Sequence, residues 1–178
     1  MIRRIPVLPA LISAIAEYLK DHNLGNRGVE DGGRRKQLVG LIGELTVHHY
    51  LFGVYPDLAK RNDGFDGGYD MVYNGEKIDV KTMERKTYVR PDYVNNFYWM
   101  QESYDAGIIV FCSYHNVANV VEICGWLPKS ELSQRGCYYA AGTTRIRRDG
   151  TSFIFRQNNY EIENRRLDDI ELLKNRKQ

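Results

Sequence analysis

Long apolar runs are missing from this chain. No stretch approaches the roughly 18 consecutive apolar residues that a membrane-spanning helix requires, so neither a span nor a membrane partner is expected. Cysteine is scarce. Cys112, Cys124 and Cys137 are an odd number at spacings that fit neither a disulfide framework nor a zinc or iron–sulfur pattern, and the expectation is buried, reduced thiols. A large net charge is missing too: the value is +2, too small to imply a polyanionic partner by itself. The basic start, Arg3 and Arg4, runs into an apolar stretch broken by Pro6 and Pro9 and followed by Glu17. That pattern argues against a secretory signal and for the cytoplasm. There is no internal repeat and no low-complexity linker. With 178 residues, 43% hydrophobic and 27% charged, one globular domain is the simplest reading.

Helical periodicity comes first along the chain. Leu8, Leu11, Ile12, Ile15 and Leu19 recur at helical spacing over 8–20, with Pro9 tolerated in a first turn. The Gly-, Asn- and Asp-rich stretch 21–33 reads as a loop. A second helix is predicted over 34–52, with Leu38, Leu41, Ile42, Leu45 and Phe52 as its apolar stripe and Gly53 as its stop. Gly40 and Gly43, one turn apart, let this helix approach another backbone closely, and Glu44 projects from that side. A loop over 62–68 leads to two short strands joined by Asn74-Gly75. A short helix at 97–104, strands at 107–114 and 117–124, and a short helix from near Pro128 follow. Strands at 143–148 and 152–157 flank Asp149-Gly150. The pattern is that of a mixed α/β domain.

Asn-Gly between alternating apolar residues is the strongest short-range hairpin signal, and a two-residue loop fixes the register. Tyr73 then pairs with Glu76, Val72 with Lys77, Met71 with Ile78 and Asp70 with Asp79. Alternation puts Asp70, Asp79 and Lys81 on one face, with Met71, Tyr73, Ile78 and Val80 on the other. Directly opposed carboxylates destabilise a sheet. A divalent cation removes that penalty. Oxygen-only ligands, with no Cys/His cluster, suit Mg²⁺ or Mn²⁺ rather than zinc. Lys81 stands where it can contact a scissile phosphate or position water, which completes the equipment for phosphodiester hydrolysis. An Asp-x-Lys alone is common on solvated strands. The register-matched Asp70, the apolar strand and the upstream Glu44 make the combination specific.

These residues resemble the PD-(D/E)XK nuclease superfamily, which includes many restriction enzymes and Holliday junction resolvases. The matching segments are Gly40-Leu41-Ile42-Gly43-Glu44 on a helix, Asp66-Gly67-Gly68-Tyr69-Asp70 entering one strand, and Ile78-Asp79-Val80-Lys81 on the next. The likeness covers roughly residues 38–126, and Cys124-Gly125-Trp126 looks more loosely like a recurring strand end. Tyr69 stands where the motif name has proline, and the clustered cysteines of the iron–sulfur exonuclease branch are missing. The resemblance implies a restriction-endonuclease-like core over about 34–126: a mixed β-sheet with an antiparallel catalytic hairpin flanked by helices. An N-terminal helix would precede it and a C-terminal strand extension would follow, all in a single nuclease domain. It implies Asp70, Asp79 and the Val80 carbonyl as metal ligands, Glu44 as ligand to a metal or its water, and Lys81 as the catalytic lysine.

Around this core, Lys77 shares the active face, and Arg85, Lys86 and Arg90 interleave with Tyr88 in a segment suited to a nucleic-acid backbone. Arg145, Arg147 and Arg148 form a second basic cluster. His48, one turn beyond Glu44, reads as structural, and Asp63 and Asp66 as turn-makers. The function expected is that of a Mg²⁺-dependent DNA endonuclease, Mn²⁺ substituting, with no nucleotide cofactor. Cutting both strands would favour a homodimer. The alternative is a catalytically inactive nucleic-acid-binding protein that retains the nuclease fold, against which the intact quartet Glu44, Asp70, Asp79 and Lys81 speaks.

Overall fold

The computed structural model describes residues 1–24, 33–60, 68–147 and 150–176. In chain order the first elements are β1 (Arg3–Pro6), α1 (Pro9–Asp21), α2 (Arg34–Phe52), β2 (Met71–Tyr73), β3 (Glu76–Arg85) and β4 (Val94–Tyr98). Then come β5 (Ile108–His115), β6 (Val120–Pro128), α3 (Leu132–Arg135) and β7 (Cys137–Tyr139). The last are β8 (Thr144–Ile146), β9 (Ser152–Ile154), β10 (Asn159–Glu163) and α4 (Ile170–Lys174). The class is mixed α/β, as expected.

Five strands in the order β1-β6-β5-β3-β2 make a mixed sheet. β3 and β5 run parallel, and the other neighbours are antiparallel. β5 lies in the middle and is buried along its whole length, which is why Ile108–Cys112 reads as a continuous apolar run rather than an alternation. Helices α1, α2 and α4 cover one face. Ile15, Leu19, Leu41, Ile42 and Leu45 join Ile78, Val80, Ile108, Val110 and Ile123 in one core. A second sheet, β4-β10-β7, covers the other face, where Phe97, Tyr160 and Ile162 meet Ile109, Phe111, Cys124 and Leu127.

Several expectations need correction. The core does not stop near residue 126: β1 closes one sheet edge against β6, and β7 and β10 build the second sheet with β4. The C-terminal part is therefore a layer, not an extension. Trp126 donates its indole N–H to the Asp169 carbonyl at 3.0 Å and ties α4 beneath β6. Cys124-Gly125-Trp126 lies inside β6 beside a bulge, not at a strand end. Glycine is required there because a Cβ would sit 2.5 Å from the Asp168 carbonyl oxygen. Cys112 and Cys124 are buried free thiols, but Cys137 is exposed on the short strand β7. The helix expected at 97–104 is a 3-10 turn, Trp99–Ser103, and the strands around Gly150 are only β8 and β9. Asp63, Asp66 and Asp149 lie outside the described residues.

The two glycines of α2 prove to be different. A Cβ on Gly43 would meet the Thr82 hydroxyl at 1.9 Å, so this residue sets how closely α2 lies on β3. Gly40 has no described atom within 4 Å of that position. A glycine inside a helix costs about 1 kcal/mol relative to alanine, and packing does not account for this one.

Candidate active site

Asn74 (φ 50°) and Gly75 (φ 81°) supply the two positive φ angles of a two-residue hairpin turn. The ladder it sets is Tyr73 opposite Glu76, Val72 opposite Lys77 and Met71 opposite Ile78. There it ends. Asp70 does not continue it to face Asp79: its backbone N–H donates to the Ile78 carbonyl at 2.8 Å. Its carboxylate accepts from the Val80 N–H at 2.6 Å. The cause is the shortness of β2. Beyond Ile78 the outer edge of β3 has no neighbouring strand among the described residues, and an unpaired N–H buried there would be costly. Asp70 satisfies it and at the same time avoids direct opposition to Asp79. The Val80 carbonyl shares the side of its own N–H and so faces the same open edge.

Ile78 and Val80 belong to the core under α2, so Asp79 and Lys81 point to the opposite face of β3. Asp79 is buried, and its carboxylate stands 2.7 Å from the Lys81 ammonium. Glu44 is buried on α2. Asp70 joins the two sides across the edge. Burial pushes its carboxyl well above the usual range; the negative charges of Glu44 and Asp79 push it further, while Lys81 and the Val80 N–H oppose. All four expected residues are thus brought within electrostatic reach, arranged around a strand edge rather than on one hairpin face.

Three carboxylates and a carbonyl are an all-oxygen donor set, the chemistry that suits Mg²⁺ or Mn²⁺. Among the described residues, no three acidic, histidine or cysteine side chains already stand at metal-binding separation. Asp79 is turned to the Lys81 ammonium and Asp70 to the Val80 N–H.

Two depressions of about 470 Å³ flank the edge. Glu44, His48, Asp57 and Asp70 line one, and Arg35, Lys36, Gly40, Lys81 and Tyr98 line the other. The second shares Met83, Glu84 and Asn96 with a trough of about 610 Å³, which runs along β3 between Arg85, Lys86 and Arg90 on one side and Arg145 and Arg147 on the other. His48 is structural: its ring bonds the Val54 carbonyl at 2.9 Å and stacks on Phe52. Lys77 pairs with Asp105. Arg85 is turned inward, donating to Ser113 Oγ at 3.1 Å and to the Val94 carbonyl at 2.6 Å. Lys86 is exposed, and Arg90 stands 3.5 Å from Asp92. Of the basic cluster 145–148, Arg148 lies outside the described residues, and Arg35 and Lys36 join the site without a sequence signal. No local signal could join them to β3, because the fold brings them from distant parts of the chain.

Comparison with family models, with curated proteins and with solved structures returns no match. No helix among the described residues is long and apolar enough to cross a membrane.

Proposed function

We propose that this chain is a divalent-metal-dependent deoxyribonuclease with a restriction-endonuclease-like core, acting in the cytoplasm on DNA. The observation that carries the reading is the meeting of Glu44, Asp70, Asp79 and Lys81 at a strand edge flanked by two open depressions. Three acidic side chains gathered around one lysine weaken a fold unless a cation compensates them, and such unfavourable placements concentrate at functional sites. Asp70, Asp79 and the Val80 carbonyl would hold that cation, with Glu44 on it or on its water. When bound, a divalent ion supplies the positive charge that assists water attack on a phosphodiester. Lys81, freed from Asp79 when the cation takes that carboxylate, neutralises charge on the phosphate. A homodimer would let two such sites cut both strands.

The test is incubation of the purified protein with plasmid, four-way junction, flap and single-stranded DNA, started with Mg²⁺ or Mn²⁺ and stopped with EDTA. Metal-dependent cleavage of at least one form is expected. Binding of DNA without cleavage of any form would support the inactive binding protein instead.

A further inference from the structure

We propose that the groove between the first half of α2 and β4 holds an unpaired stretch of DNA, one base stacked on Tyr98 and the sugar–phosphate backbone lying over Gly40 toward Lys81. The inference deepens the nuclease reading and rests on it for the identity of the ligand. Arg35 and Lys36 line one wall of the groove, Lys81 and Thr82 its floor, and Tyr98 and Gln101 the opposite wall.

Three observations converge on this occupant. Gly40 borders the groove and no described atom fills the place of its missing side chain, whereas Gly43 is required by Thr82. A bare helix backbone next to a groove is what close approach by a ligand backbone needs. The first turn of α2 carries Arg34, Arg35 and Lys36, with no acidic residue and no side-chain cap. Cations there oppose the helix dipole; Glu84 pairs with Arg35, and an anionic ligand on Lys36 and the helix end lowers the penalty further. Tyr98 (36%), Trp99 (48%) and Met100 (53%) are three consecutive large side chains left exposed, with Tyr98 in the groove wall. Phosphate-binding cations facing an aromatic wall form a platform for single strands. The bases of an intact duplex are stacked on one another and cannot offer a face to Tyr98. The substrate is therefore one with an unpaired segment, such as a flap, a frayed end or an open junction.

Fluorescence anisotropy of a short labelled oligothymidylate, measured in EDTA against a blunt duplex of equal length, reads this binding without cleavage. The single strand is expected to bind more tightly than the duplex. Tyr98→Ala should weaken single-strand binding about tenfold, the weight of one base–aromatic stack, and Tyr98→Phe should restore it. Gly40→Leu should weaken it by a similar factor, while the melting temperature holds or rises because a glycine has left a helix interior. Unchanged single-strand affinity in Tyr98→Ala and Gly40→Leu, or an equal loss toward duplex and single strand, would overturn the proposal. The two readings separate cleanly: metal-dependent cleavage with unchanged binding in both variants removes the groove and leaves the nuclease. The expected binding pattern without cleavage by the wild type leaves the groove and removes the nuclease.

Discussion

Asp79→Ala and Lys81→Ala should each lower DNA cleavage by about 10²–10³-fold or more, the usual consequence of removing an electrostatic contributor to catalysis. They should part company in metal binding. Losing Asp79 removes an oxygen ligand, so calorimetric titration with Mg²⁺ or Mn²⁺ should show weakened binding. The metal-free fold should hold its stability, because Asp70 loses a negative neighbour as Lys81 loses its partner. Losing Lys81 has the opposite sign. Glu44, Asp70 and Asp79 are left without the Lys81 charge that offsets theirs, so the metal-free fold weakens while affinity for a divalent ion holds or rises. Wild-type cleavage by either variant would defeat the proposed chemistry. Equal loss of metal affinity in both would mean that Lys81 acts by organising the ligands rather than on the phosphate.

Asp70→Asn isolates a charge from a hydrogen bond. The amide oxygen can still accept from the Val80 N–H, while the carboxylate charge disappears. In the folded chain the Asp70 carboxyl sits well above its ordinary value, mainly through burial and then through Glu44 and Asp79. Its contribution to stability is therefore full at pH below the ordinary carboxylate value and is lost as pH rises through the elevated one. At neutral pH the metal-free Asn variant should be more stable than the wild type by about 1 kcal/mol, or about 2–4 °C in melting temperature for a chain of this size. Mn²⁺ should reverse the order. At a hundredfold excess over its dissociation constant, a bound ion stabilises the wild type by about 2.7 kcal/mol, and the variant should gain far less. Thermal melts with and without Mn²⁺ check both signs, and an equal Mn²⁺ shift in the two proteins would remove Asp70 from the site.

What the sequence disclosed was local. Helix α2 and the Asn74-Gly75 hairpin were legible because periodicity and turn chemistry act within a few residues. The same signals brought Glu44, Asp79 and Lys81 into view. The ladder pairing of Asp70 with Asp79 was not right. Register counting assumes that a strand continues, and here the demand of the Val80 N–H for a partner draws Asp70 out of the ladder. Strands β4 and β10 carry asparagines, which are depleted in strands and give no strand signal. In the fold these residues are pins between strands. The Asn95 amide donates to the Asn164 side chain at 2.8 Å and that of Asn159 to the Asn96 side chain at 3.1 Å. β1 was hidden because arginine and proline, which suit a sheet edge, make a poor strand signal on their own. The trough that joins Arg85–Arg90 to Arg145 and Arg147 depends on contacts too distant in sequence for any window to capture.

Anomalous diffraction from crystals grown with Mn²⁺ is the most direct measurement of where the cation sits. The strongest peak is expected about 2 Å from the carboxylates of Asp70 and Asp79 and from the Val80 carbonyl oxygen, with Lys81 swung away from Asp79 toward the groove. A strongest peak among other side chains, or none at a Mn²⁺ concentration that starts DNA cleavage, would contradict a metal-assisted site at this strand edge.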